Sequence, residues 1–475
     1  MEDTIVLYPA PTRGHLMSMV ELGKLILRCH HFSTIHILIT TDHKDTPSNS
    51  AYLHHISDTN PAITFHRLPF LPLNLSPTVS SIATLFEFIR LNATSVLHTL
   101  QKILQTSKVR ALILDFFCTS AFPISESLGI PVYYFFTSGL AAVAAYLYFP
   151  TIDKQVDQSF KDLVDTKFHI PGLPPLPSRH MPQPVLNRND PAYHDVLYFS
   201  HHLARSSGII VNTFDGLEPI ALKAITDGLC IPDIPTPPIY NIGPLIADAD
   251  TKPADQNLKH HSLSWLDRQP NQSVVFLCFG SRGSFSTDQL KEIAKGLERS
   301  GQRFLWVVKK PPFDKNSKEV EELGEFNVME IMPEGFLDRT KDRGMVVESW
   351  VPQVKVLEHP AVGGFVTHCG WNSVLEAVMA GVPMVAWPLY AEQHLNKAAL
   401  VEDMKMAIPM DPREDDEFMF AEEVEKRIRE VMDGEKSKEL REQCHKMKNM
   451  AIGAWERLGS STVALDKVVH VWFGN

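Results

Sequence analysis

The sequence predicts an α/β chain of two parallel-sheet halves. Through the first half, short apolar runs alternate with longer amphipathic stretches, the pattern of βαβ units with helices on both faces of a sheet. The alternation stops in a polar stretch at residues 244–261 and restarts at Ser273. At 475 residues the chain also exceeds what one hydrophobic core fills. Two domains of roughly 200 to 250 residues fit it.

Residues 5–8, 35–40, 111–115, 131–135 and 209–212 are apolar runs of strand length, as expected for a sheet buried on both faces. A helix is predicted over 15–28, with Leu16, Met19, Leu22 and Ile26 on one face. Prolines crowd residues 171–191, which predicts a long irregular surface loop. Residues 244–261 have no apolar periodicity and read as a linker. The second half opens with 273–279, followed by strands near 304–308, 345–349, 364–367 and 384–387. The charged stretch 421–447 predicts helices packed through Val424, Ile428 and Val431.

Composition excludes several classes of partner. The net charge of −11 and pI near 6.0 give no basic field for nucleic acid or an anionic membrane. The Lys309-Lys310 pair reads as a solvated face. The N-terminus has no basic segment ahead of its first apolar run, so no signal peptide is expected. A membrane span is not expected either, because no apolar stretch reaches about 18 residues. Six cysteines without pairing motifs suit a reducing compartment. The expectation is a cytoplasmic monomer.

The segment 350–393 carries the densest chemistry. Residues 363–367 read as a buried strand, His368 to Ser373 as a polar glycine turn, and 374–380 as the following helix. Such a strand, turn and helix aim backbone N–H groups at a phosphate. Asn372 or Ser373 is the natural N-cap, and Glu376 lies one turn on, where a carboxylate can accept ribose hydroxyls. In the first half, His15 opens a helix directly after the first strand and Asp115 ends another strand. Ligands of open α/β sheets gather at such strand ends. His15 as base with Asp115 holding its tautomer would make a proton-abstracting dyad, and a capping or packing histidine is the alternative. With no G-x-S-x-G motif, the dyad does not point to a hydrolase.

The 350–393 segment closely resembles the signature box of plant secondary-product UDP-glycosyltransferases, matching at Trp350, Pro352, Gln353, His359, Pro360, His368, Cys369, Gly370, Trp371, Asn372, Ser373, Glu376, Gly381, Pro383, Pro388, Glu392 and Gln393. Residues 9–15, 264–270 and 279–283 also sit where that family carries equivalents. The resemblance implies a GT-B fold, two Rossmann-like domains facing across a cleft. Residues 1–245 would form the acceptor domain, 246–261 the linker, and 262–455 the UDP-sugar domain. A C-terminal helix within 456–475 would cross back to the first domain.

The resemblance also implies roles. His15 would be the general base and Asp115 its partner. Ser281, His368, Asn372 and Ser373 would hold the diphosphate. Trp350 would stack on uracil beside the backbone of Val351, and Gln353 and Glu376 would bind ribose. Thr137, Trp371, Glu392 and Gln393 would meet the sugar. Gln393 goes with glucose donors, and Trp371 stands where glucuronate users can carry arginine, so UDP-glucose is the expected co-substrate with no bound cofactor. Leu16, Met17, Phe86, Phe116 and Phe117 would line the site of a small aromatic acceptor, although core packing explains such residues equally well. Residues 278–286 look most similar to the branch that glucosylates chalcones, dihydrochalcones and flavonoids. Taken singly, Trp350 also suits a core aromatic, Ser281 a turn residue and Glu376 a solvent-facing carboxylate.

No metal is expected. Asp248-Ala-Asp250 has the spacing of a metal-binding carboxylate pair but lies in the linker, and the pairs His30-His31, His54-His55, His201-His202 and His260-His261 lack zinc spacing. A nicotinamide dehydrogenase is disfavoured because no G-x-G-x-x-G joins a strand to a helix. The leading expectation is inverting glucosyl transfer to a phenolic hydroxyl. Aryl C-glucosylation of a phloroglucinol-type ring and non-catalytic nucleotide-sugar binding are the alternatives.

Overall fold

The computed structural model describes all residues except 30, 31, 33, 42–46, 74–79, 248–255, 312–326, 349, 414–416 and 475, and except the side chains of 47–49 and 256–260. The Asp248-Ala-Asp250 motif, the His30-His31 pair, the His260 side chain and much of the expected linker therefore lie outside the described residues. The chain divides into two compact units. The first comprises Met1–Pro253, Tyr390–Ala399 and Met450–Asn475, and the second Ala254–Leu389 and Leu400–Asn449. Residues 390–399, which the sequence placed with the second half, thus group with the first. Helix Gln256–Leu266 occupies the end of the stretch expected to be linker.

The first unit holds a parallel sheet of seven strands: β1 Glu2–Tyr8, β2 Thr34–Ile39, β3 Ile63–Arg67, β4 Ser107–Leu114, β5 Val132–Phe136, β8 Gly208–Val211 and β9 Ile239–Asn241. A two-stranded antiparallel ladder, β6 Lys167–Phe168 and β7 Leu176–Pro177, stands apart from it. The order is β3-β2-β1-β4-β5-β8-β9, so the winding reverses between β1 and β4. Alternation along the strands explains why both faces are buried. Ile5, Leu7, Ile35, Ile37, Ile113 and Phe135 join one apolar cluster with Leu16, Met19, Leu22 and Ile26 of helix Arg13–Arg28. Val6, Tyr8, Leu112, Leu114, Tyr134 and Phe136 join the other, with helices Ser81–Leu91, Ala93–Thr106, Leu140–Gln155 and Pro191–Leu203.

The C-terminal helix Ser460–Phe473 adds Leu465, Val468, Val469 and Trp472 to the first of these clusters. Each such buried side chain contributes about 1.5 to 3 kcal/mol, so this helix is part of the fold of its unit. The proline-rich stretch 171–191 is not the surface loop that was expected. Met181, Pro182, Pro184 and Val185 are buried, and short 3₁₀ turns at Ser178–His180 and Gln183–Val185 carry the chain between them.

The second unit repeats the principle with six parallel strands: β10 Val274–Cys278, β11 Arg303–Val308, β12 Gly344–Glu348, β13 Val362–Thr367, β14 Met384–Ala386 and β15 Ala407–Pro409. Their order is β12-β11-β10-β13-β14-β15, with the reversal between β10 and β13. Helices Thr287–Ser300 and Ala421–Met432 pack one face through Ile293, Leu297, Val424, Ile428 and Val431.

Candidate active site

Parallel sheets bind ligands beyond the carboxyl ends of their strands, where the strand order reverses. In the first unit that point is set by the pairing of β1 with β4, which aligns Tyr8 with Leu114. Asp115 follows directly, and its N–H donates to the Tyr8 carbonyl at 3.0 Å. His15 enters from the other side, in the first turn of the helix that follows β1. The two side chains meet: His15 Nδ1 lies 2.6 Å from Asp115 Oδ2. Asp115 is 1% exposed, whereas the imidazole is about one quarter exposed. Asp115 Oδ1 also accepts the Phe117 N–H at 3.1 Å, capping the 3₁₀ turn Phe116–Ala121. That turn carries the two phenylalanines whose ring centroids stand 6.2 and 5.8 Å from the His15 ring. Phe86 packs against both, tilted to Phe117 at 4.9 Å and edge-on to Phe116 at 6.2 Å.

Thr137 and Ser138 form the turn after β5. Thr137 Oγ1 is 3.5 Å from His15 Nδ1, while Ser138 Oγ donates to Glu392 Oε1 at 3.1 Å. Gln393 is 3% exposed, and its Oε1 accepts the Tyr390 N–H at 3.0 Å. The expected acceptor residues do not all gather. Phe116 and Phe117 flank His15 with Phe86 packed behind them, but Leu16 and Met17 pack into the cluster on the other face of the sheet.

In the second unit the reversal lies between β10 and β13, whose register aligns Cys278 with Thr367. The loops that follow carry Gly280-Ser281 and His368-Cys369-Gly370. The helix after β13 begins at Trp371, with Gly370 as its N-cap. Asn372 and Ser373, expected as the cap, therefore occupy its first turn instead. Glycine is needed at both flanks of His368. A Cβ on Gly280 or on Gly370 would stand 2.4 Å from His368 Nε2, and Gly280 has φ of +72°. His368 is 6% exposed, and burial, aided by the nearby Lys309 charge, pushes its pKa down to about 4. A neutral imidazole is the result.

Lys309 corrects a sequence expectation. It is half-buried rather than part of a solvated face, and its Nζ donates to the Gly280 carbonyl. Burial lowers its pKa. Its position at the carboxyl end of β11, beside β10, was the available signal. Gln353 Nε2 donates to Ser373 Oγ at 2.8 Å and to Glu376 Oε2 at 2.6 Å, which joins three of the expected ligands into one network. Trp350 is partly exposed and Val351 buried just ahead of helix Gln353–Leu357. Ser281 is exposed on its loop, whereas Trp371 is only 3% exposed at the start of its helix.

The family described as UDP-glucoronosyl and UDP-glucosyl transferase matches residues 228–448. Across 97% of its length the chain is 56% identical to UDP-glycosyltransferase 88F3 of Pyrus communis, covering 98% of that protein. It is 55% identical to a phloretin 2'-O-glucosyltransferase of Malus domestica over the same shares. Among solved structures it resembles Phytolacca americana UGT2 complexed with UDP-2fluoro-glucose and pterostilbene, with a TM-score of 0.86 and 34% identity over 99% of this chain and 100% of that one.

Proposed function

The chain belongs to the UDP-glucoronosyl and UDP-glucosyl transferase family, a UDP-dependent glycosyltransferase with the GT-B fold of two parallel-sheet α/β units, and from that premise we propose inverting transfer of glucose from UDP-glucose to a phenolic hydroxyl of a flavonoid, chalcone or dihydrochalcone. The observation that carries the proposal is the 2.6 Å contact of His15 with a buried Asp115 at the reversal point of the first sheet. The carboxylate draws the imidazole proton to Nδ1, which places the basic lone pair on Nε2. That nitrogen takes the proton of the phenolic hydroxyl as its oxygen attacks the anomeric carbon. The bond from that carbon to the diphosphate oxygen breaks, and its electron pair leaves with UDP. One displacement inverts the centre and needs no covalent intermediate.

The charge that develops on the leaving diphosphate is the main electrostatic demand. The reading assigns it to the helix N-terminus at Asn372 and Ser373, to the neutral His368 and to Ser281. Trp350 and the Val351 backbone hold uracil, and the Gln353–Glu376 pair binds ribose. Thr137, Trp371, Glu392 and Gln393 meet the sugar hydroxyls in this reading. For the acceptor, Phe86, Phe116 and Phe117 offer flat apolar surface beside the base, as suits a small-molecule site.

Among the described residues no helix is long and apolar enough to cross a membrane. All six cysteines are free thiols, which supports the cytosol as the place of action. The reading includes a monomer and no metal.

Phloretin, the acceptor in the name of the Malus relative, is the first compound to assay. Mass spectrometry of reactions with UDP-glucose, EDTA and a panel of phloretin, flavones and simple phenols should show a hexose mass gain that acid hydrolysis removes. An acid-stable product would point to C-glucosylation instead. Under the same conditions His15→Ala should lose most turnover with UDP affinity near normal, and unchanged turnover would sink the mechanism.

A further inference from the structure

We propose that Glu218 is a positioning residue that holds the Thr137–Ser138 turn, and through it Glu392, in place for the donor sugar. The inference deepens the proposed function and rests on its assignment of Glu392 to the sugar. Glu218 is fully buried. Its Oε2 accepts the Leu140 N–H at 2.8 Å and the Thr213 hydroxyl at 3.0 Å, and its Oε1 accepts the Ala141 N–H at 2.9 Å. Helix Leu140–Gln155 starts here, and its N-cap Gly139 has no side chain to offer. A carboxylate from a distant part of the chain therefore supplies the cap, where the helix dipole favours a negative charge.

The adjacency of β5 and β8 makes this possible. Their pairing runs Tyr133 with Gly208 through Phe136 with Val211, and the Asn212 N–H donates to the Phe136 carbonyl at 3.1 Å. The segment that leaves β8 is thereby set beside the turn that leaves β5. That turn has little freedom on its other side, because ten residues of helix Leu140–Gln155 are buried. Between these two fixed elements stand Thr137, which faces His15, and Ser138, which donates to Glu392 at 3.1 Å and approaches Asn396 Oδ1 at 3.4 Å. Loss of the carboxylate would free the first turn of the helix and let both side chains drift from their partners. Displacements of about 1 Å at a positioned group can cost around 100-fold in rate.

Glu218→Gln preserves size but removes the charge and points an N–H₂ group at backbone N–H donors. Titration calorimetry with UDP-glucose and with UDP, alongside thermal melting, separates positioning from stability and needs no acceptor turnover. The expected result is a folded protein whose affinity for UDP-glucose falls about 10-fold while that for UDP stays within about twofold. Ser138→Ala should weaken UDP-glucose binding as well, and its effect should shrink in the Glu218→Gln background, as coupled groups behave. A lower melting temperature with both affinities unchanged would overturn the proposal and leave Glu218 as a structural cap. Should Glu218→Gln not fold, Thr213→Val removes one donor to the carboxylate, and a threefold or greater selective loss of UDP-glucose affinity is expected. Unchanged affinity in that variant also overturns it. Absence of phenol glucosylation in the wild type would count against the proposed function while the binding comparison still judged Glu218.

Discussion

Asp115 serves His15 and its own turn at once: Oδ2 meets the imidazole Nδ1 at 2.6 Å, and Oδ1 accepts the Phe117 N–H at 3.1 Å. The carboxylate that orients the ring thus also sets the loop bearing Phe116 and Phe117. An imidazole and an aromatic pair are held by one buried group.

Asp115→Asn keeps the shape of this arrangement but removes the charge that supports an imidazolium. The expected loss in kcat is about 100- to 10,000-fold, as for other orienting carboxylates. UDP affinity should stay within a few fold. Combining it with His15→Ala should add little, since the two act as a unit. Steady-state kinetics on the single and double variants checks this, and additive losses would contradict a dyad.

Glu376 is aimed by the Gln353 amide at 2.6 Å, so the pair should act together on ribose. Glu376→Ala should weaken UDP binding by about 1.5 to 3 kcal/mol, roughly 10- to 150-fold, the scale of hydrogen bonds to a charged group. The preference of the wild type for UDP over its deoxyribose analogue should fall in the variant. Calorimetry with both nucleotides is the test, and an undiminished preference would remove Glu376 from the ribose site.

Gly280 and Gly370 both border His368, yet they should differ on substitution. An added Cβ clashes equally with His368 Nε2 at either position, but only Gly280 has a left-handed φ. Placing a side chain there costs roughly 1 to 2 kcal/mol more. Gly280→Ala should therefore melt lower than Gly370→Ala, with UDP binding weakened in both. Equal melting temperatures would argue that the loop relaxes freely.

Acid should destabilise the fold before the carboxylates titrate. Burial pushes His36, His180 and His368 down to about 4 and His394 to about 3, from an ordinary 6.5. Below pH 6.5 the unfolded chain takes up protons that the folded chain refuses. The stability contributed by the neutral rings is thus complete above pH 6.5 and is lost progressively down to about pH 4, and for His394 to about pH 3. Melting temperatures should be level from pH 7 to 8 and decline between pH 6.5 and 5. A flat profile through pH 5 would refute the assignment.

Much of the sheet architecture was legible because buried parallel strands announce themselves as apolar runs. The runs at 5–8, 111–115 and 304–308 became β1, β4 and β11 with small changes at the ends. The strands that escaped notice have a physical reason to do so. β3 alternates with Thr64, His66 and Arg67 and lies at the edge of its sheet, and β9 and β15 are three-residue edge strands. One face or one neighbour is missing from each, so the apolar signal is diluted. Lys309 misled for the opposite reason: a charged residue reads as solvated until a neighbouring loop places a carbonyl against it.

By itself the sequence determined the α/β class, the two sheets and the chemical identity of most candidate site residues, because burial and turn chemistry act over a few neighbouring positions. Tertiary structure decided which of those residues meet. His15 and Asp115 are 100 positions apart, and Ser138 and Glu392 are 254 apart. Their contact depends on strand order and register, which arise from long-range pairing. The same pairing separates Leu16 and Met17 from Phe116 and Phe117, groups them on opposite faces of one sheet, and brings residues 390–399 into the first unit. No local pattern encodes those choices, since they are settled only when the strands pack side by side.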